Sequence, residues 1–169
     1  MATWNDFAAE APELSTLAER RLTATGLVLL ATLRADGYPR ISPVEPLVDR
    51  DRLVLFEGHM PLGMMLGSTK ARDLRRDPRC ALHSATADKE VSEGDVKFWA
   101  RAVELTDEAD LERLANTQQT LTGWRPDPGT FHMFLPVLAG ASSVRVVGDA
   151  MLVDTWKPGE GVVTVEKHN

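Results

Sequence analysis

The sequence predicts a mainly β domain, a small antiparallel β-barrel with helices at its start and in its middle. Three observations carry this. Seven or eight short apolar segments follow one another in hairpin order, broken by turn residues. Several lie too close together for the crossover helices of a parallel sheet, so a βαβ arrangement fits poorly. Helical spacing of apolar residues is confined to a few stretches.

Residues 3 to 24 read as helical. Thr3 or Asn5 can cap a first turn, with Asp6 near its positive end. Pro12 starts a second helix, on which Leu14, Leu17, Ala18 and Leu22 share one face, and Gly26 ends it. Leu27 to Arg34 is then a strand. Asp36-Gly37 is a strong hairpin signal. Arg40 to Val48 returns as a second strand, and Pro43 and Pro46 require it to be bulged or partly unpaired. Leu53 to Phe56 is a third strand and Gly58 to Gly67 a loop rich in Met. Ser68 opens a helix that runs to about Arg76 and stops at Asp77-Pro78. Cys80 to Ser84 and Val96 to Leu105 are strands around a polar loop. Thr106 caps a helix from Glu108 to Thr120. Gly123 to Gly129 is a linker. Phe131 to Val137, Val144 to Val147 and Met151 to Trp156 close the domain, and the tail after Pro158 is either strand or frayed.

The chain has 169 residues, 43% of them hydrophobic and 26% charged, the composition of one globular domain. Nineteen Lys and Arg against 25 Asp and Glu give a net charge of -6, which argues against nucleic acid or an anionic membrane as partner. There is one cysteine, Cys80, so no intrachain disulfide can form. With no signal peptide and no long apolar run, the expected location is cytoplasmic.

The chemistry-bearing residues are basic. Arg40 and Ser42 stand two apart in a strand, so both side chains point to one face. Ser68-Thr69-Lys70-Ala71-Arg72 opens a helix whose first N–H groups are free and partly positive. Two hydroxyls and two cations at a helix start suit a phosphate. The plainer reading is a solvated basic helix paired to Asp73 and Asp77. His59, His83, His132 and His168 lack metal-ligand spacing, and His132 reads as a satisfied barrel histidine. Met60, Met64 and Met65 suit either an apolar lid over a flat ligand or a surface packed on a partner. Trp4, Trp99 and Trp124 read as core or interface anchors, and Cys80 as a buried structural residue.

The order of these pieces resembles one family. Ala31-Thr32-Leu33-Arg34-Ala35-Asp36-Gly37-Tyr38-Pro39-Arg40-Ile41-Ser42-Pro43-Val44 is similar to the opening hairpin of the pyridoxamine 5′-phosphate oxidase-like superfamily. The likeness continues through Leu53 to Phe56, Ser68 to Leu74, Asp77 to His83 and Ala100-Arg101-Ala102. It is closest to actinobacterial branches that bind FMN or a deazaflavin coenzyme. The resemblance implies a split barrel of antiparallel Greek-key type, one domain over residues 1–169. Residues 1–24 would form a helical segment, 25–156 the barrel and 157–169 a tail. It also implies a homodimer with a flavin at the subunit interface and a small-molecule substrate.

Carried over by position, Arg40 is the phosphate-binding arginine. Ile41, Ser42 and Val44 flank the flavin, and Phe56 and Glu57 line the ring system. Ser68, Thr69 and Lys70 hold the phosphate, and Asp95 to Trp99 approach from the partner subunit. Three departures argue against oxidation of pyridoxine phosphate itself. Glu45 stands where those oxidases have a phosphate-binding lysine, their closing arginine- and histidine-containing signature is absent after Phe131, and the Gly58–Gly67 loop is longer. The expected function is FMN-dependent redox of another small molecule. The alternatives are a deazaflavin-dependent reductase and a flavin or haem binder without turnover.

Overall fold

The computed structural model describes residues 1–168. Helix α1 (Trp4–Glu10) starts at a capping box. Thr3 Oγ1 accepts from the Asp6 backbone N–H at 3.1 Å, and the Asp6 carboxylate accepts from the Thr3 N–H at 2.8 Å. Helix α2 (Pro12–Thr25) has Pro12 at its first position and ends at Gly26, which takes the left-handed conformation that closes many helices.

Strands β1 (Val28–Leu33) and β2 (Pro39–Pro46) pair antiparallel from Val28 opposite Val44 to Leu33 opposite Pro39. Beyond them come a short ribbon of β3 (Val48–Asp49) and β4 (Arg52–Leu53), then β5 (Leu62–Met65). Helix α3 (Thr69–Arg76), β6 (Arg79–Ser84), β7 (Asp95–Leu105) and α4 (Glu108–Thr122) follow, and β8 (Phe131–Val147), β9 (Ala150–Lys157) and β10 (Gly161–His168) complete the chain. The main sheet runs β10-β9-β8-β5-β2-β1-β6-β7, and β7 also pairs with β8. Six strands therefore close on themselves as a barrel.

The split lies along β8. Its one edge is occupied by β7 from residue 133 to 144. Its other edge takes β5 at residues 131–134 and β9 at 141–147. Ala2 bridges Leu138 in the gap between them through two 2.8 Å hydrogen bonds. The N-terminal segment thereby enters the barrel. Phe7 packs edge-on to Phe98 at 5.8 Å and lies 4.8 Å from Trp156. Trp156 is fully buried, and its Nε1–H donates to Glu10 at 3.0 Å. A second, smaller core joins Phe56, Met133 and Leu135 to Leu114 of α4.

Several expectations need correction. Leu53 to Phe56 is not a strand: only Arg52 and Leu53 pair, and Phe56 turns back on His59. Glu57 and Gly58 both have positive φ, 49° and 77°, and form a two-residue reversal closed by two 2.9 Å bonds between Phe56 and His59. The Met-rich segment contains β5, with Met60, Leu62 and Met64 buried and Met65 exposed, so it is neither a free loop nor a uniform lid. Asp107, not Thr106, caps α4 by accepting from the Asp110 N–H at 3.1 Å. Phe131 to Val147 is one strand rather than two, and its pairing with β7 absorbs a register shift between Trp99 and Ala100. Gly140 sits at that shift, where an added Cβ would stand 3.0 Å from both the Trp99 ring and the Trp156 carbonyl. Residues 161–168 of the tail pair with β9. Trp4 is a core residue, but Trp99 and Trp124 are exposed in the single chain.

Pro43 requires no bulge. It lies in unbroken register with β1, and β5 pairs with β2 only at Glu45 and Pro46. From Pro39 to Val44 the other edge of β2 has no strand partner, so a missing N–H costs no ladder bond there.

Candidate functional site

Alternation along β2 sends Arg40, Ser42 and Val44 to one face and Ile41, Pro43 and Glu45 to the other. Val44 is buried in the core. Arg40 leans onto α3, where Asp73 is 4% exposed. The Asp73 carboxylate accepts from Arg40 Nε at 2.7 Å and Thr32 Oγ1 at 3.1 Å, with Arg76 at 3.4 Å. Burial alone would raise the Asp73 carboxyl. The hydrogen bonds from Arg40 and Thr32 and the Arg40 charge outweigh it and hold the group below its ordinary 3.8.

This brace spends Arg40 Nε and leaves its two terminal nitrogens without a protein hydrogen bond among the described residues. They face a cleft of about 340 Å³ lined by Arg34, Asp36, Thr69, Arg72, Asp73 and Arg76. Arg34 pairs with Asp36 at 2.7 Å, and Arg76 also donates to the Leu33 carbonyl. Arg72 makes no ion pair among the described residues. Ser68 caps α3 without a side-chain hydrogen bond, so no side chain occupies the first N–H groups of the helix. Four guanidiniums against two carboxylates leave a net of two positive charges at one mouth. That donor set fits a dianionic phosphate.

The cleft gathers only some of the residues singled out from sequence. Arg40 and Thr69 line it, and Ser42 shares the Arg40 face without reaching it. Ser68 and Lys70 do not line it. Ile41 is on the opposite face and Val44 is in the core. Phe56 lies in the second core beneath the Arg113 guanidinium, 5.0 Å from its ring centre, and Glu57 pairs with Arg113 at 2.7 Å. Neither approaches Arg40, because the strand that leads into α3 beside β2 is β5. Arg34 and Arg76 were not expected. Thr69, Arg72, Asp73 and Arg76 follow the i, i+3, i+4, i+7 spacing of one helix face, and that spacing is the signal that finds Arg76.

The loss of the Asp73 brace has a pH signature. A carboxylate held below its unfolded value contributes stability that is fully present above that value and is lost as pH falls through the folded one. The denaturation midpoint of the native protein is expected to exceed that of Asp73→Asn at neutral pH. The gap should close as pH falls below the ordinary carboxylate value of 3.8 and through the lowered folded one. A gap that does not change with pH would contradict the brace.

The outer face of β2-β1-β6-β7 carries one apolar row, flanked by Arg79 and Arg101 on one side and His83 and Lys97 on the other. Ile41, Ala31, Ala81 and Trp99 stand in register across the four strands. Ile41 is 70% and Trp99 42% exposed. Beside them, Cys80 hydrogen-bonds the Ala100 carbonyl, and burial pushes its thiol up to about 12, which makes it inert. His132 contacts Glu104 at 3.2 Å, and Arg75 grips the same carboxylate. Among the described residues no group of three His, Cys, Asp or Glu could hold a metal ion, and no helix is long and apolar enough to cross a membrane.

A family model described as pyridoxamine 5′-phosphate oxidase matches residues 15–149. The chain belongs to this family. Solved structures share the fold of this family member at low identity. A pyridoxamine 5′-phosphate oxidase-related, FMN binding protein from Nostoc punctiforme superposes with a TM-score of 0.63 at 11% identity, covering 94% of this chain and 96% of the other. PhzG from Burkholderia lata, in complex with tetrahydrophenazine-1-carboxylic acid, gives 0.59 at 15% identity over 91% of each chain. A heme binding protein from Mycobacterium smegmatis gives 0.59 at 19% identity, over 84% of this chain and 57% of the other. No curated protein sequence matches the chain. The split antiparallel barrel with flanking helices is thus the expected one.

Proposed function

We propose that this family member is a homodimeric FMN-dependent oxidoreductase acting on a small molecule other than pyridoxine phosphate. The observation that carries the reading is the Arg40 brace. Asp73 fixes Arg40 through Nε and turns its two terminal nitrogens toward the cleft that Arg72, Arg76 and Thr69 complete. Those residues would hold the FMN phosphate through charge-assisted bonds. The net charge of two suits the dianionic phosphomonoester of FMN. Bound there, the flavin supplies two-electron redox chemistry. The chain supplies grip, orientation and control of access. Glu45, exposed on β2 where the vitamin-forming oxidases have a lysine, repels a substrate phosphate.

The dimer reading is supported by the Ile41–Ala31–Ala81–Trp99 row. An apolar row with a polar rim that ends on the open edge of β2 suits a second copy of the chain. Replacing Trp99 with Glu removes its largest apolar side chain and places a charge in the row. Light scattering is expected to show dimer for the native protein. For Trp99→Glu it should show monomer, with a dimer dissociation constant raised by about 30-fold or more. Weaker FMN binding should accompany that loss. A Trp99→Glu protein that stays dimeric and binds FMN normally would contradict the interface. Loss of the yellow absorbance on anaerobic mixing of FMN-loaded protein with NADH or NADPH tests the oxidoreductase reading; absence of reduction by either would favour a binder without turnover.

A further inference from the structure

Where the linker between α4 and β8 meets β5, the fold encloses a second space of about 320 Å³ that shares no lining residue with the basic cleft. Met64, Met65 and Trp124 give it an apolar, polarisable wall. Its polar side chains are Glu45 on β2, Asp127 and Thr130 between α4 and β8, and Gln118 on α4. No arginine, lysine or histidine lines it, and neither carboxylate enters an ion pair among the described residues. Gln118 is 7% exposed, yet its amide oxygen is buried without a hydrogen-bond partner. Natural proteins seldom leave such an acceptor unpaired.

We propose that this slot binds a flat aromatic cation. The face of Trp124 attracts a cationic ring, and methionine sulfur packs well against aromatic edges. Glu45 and Asp127 supply the opposite charge with no competing cation. The same carboxylates reject planar anions. Through Glu45, which the proposed function sets against a substrate phosphate, the slot rests on that reading and extends it, while none of its residues belongs to the phosphate seat.

The test uses proflavine, a planar amine-bearing cation, and anthracenecarboxylate, an anion of similar shape, titrated into the intact protein and followed by fluorescence. Proflavine is expected to bind saturably at one per chain, about tenfold or more tighter than the anion. Glu45→Lys, an exposed substitution, should weaken proflavine about tenfold or more. Arg40→Ala should bind it within about twofold of native, since that residue is outside the slot. No binding, equal affinity for cation and anion, or proflavine affinity unchanged in Glu45→Lys would overturn the proposal. Loss of proflavine binding in Arg40→Ala would place the dye in the basic cleft and overturn it too.

Discussion

Replacing Arg40 with alanine is expected to weaken FMN binding by about 10- to 100-fold, the loss of a charge-assisted hydrogen bond or a pair of them. The effect is large because Arg40 does two jobs at once. Its Nε bonds the buried Asp73, and its terminal nitrogens face the cleft. Arg40→Lys should not restore the affinity, since a single ammonium cannot reproduce a guanidinium that bonds in two directions. Arg72→Ala should also weaken FMN, because Arg72 lines the cleft with no protein carboxylate holding it. Lys70→Ala should change affinity by less than about threefold, the small effect of a charge outside the seat. Flavin-fluorescence titration of the four variants checks the set. Equal affinities for native protein and Arg40→Ala would remove the cleft from the account.

The second large effect concerns stability. Trp156→Ala is expected to destabilise the fold by about 3–5 kcal/mol, the usual cost of deleting a fully buried large aromatic side chain. For a chain of this size that is roughly 10 °C in melting temperature. Trp156 packs at a tilt against Phe7 and donates to Glu10, whose carboxylate also accepts from the Gly159 N–H at 2.9 Å. One tryptophan therefore ties α1, β9 and the turn before β10 together. Trp156→Phe keeps most of the packing and loses the hydrogen bond, so it should cost much less. Thermal and urea denaturation of both variants measures this. Similar losses for Trp156→Ala and Trp156→Phe would show that the hydrogen bond, not the packing, dominates.

The strand-rich architecture was legible because it rests on local signals. Asp36-Gly37 marks the β1–β2 hairpin, Pro12 and Gly26 bound α2, and Asp77-Pro78 ends α3. What was not legible depends on long-range pairing. The alternation Met60, Leu62, Met64 is a strand pattern, but Pro61 and Gly63 interrupt it, and only pairing with β2 and β8 makes β5 a strand. Phe56 and Glu57 took the place that belongs to β5 because the Glu57-Gly58 reversal carries no Asn-Gly or Asp-Gly signature. In the site, Arg40 and Thr69 could be read from strand alternation and helix start. Arg76 required following the α3 face a full two turns. Asp73 reads as a solvating partner of the basic helix, yet it is the buried group that orients Arg40. Burial of a carboxylate is decided by what covers it, and β1 and β2 cover this one from more than 30 residues away.

Native mass spectrometry of the purified protein titrated with FMN tests the central claim most directly, because it reads oligomer and cofactor in one spectrum. The account predicts a dimer that takes up two FMN, and a marked loss of that uptake in Arg40→Ala. A monomer, or a dimer that binds no FMN at concentrations that saturate flavoproteins of this family, would contradict it.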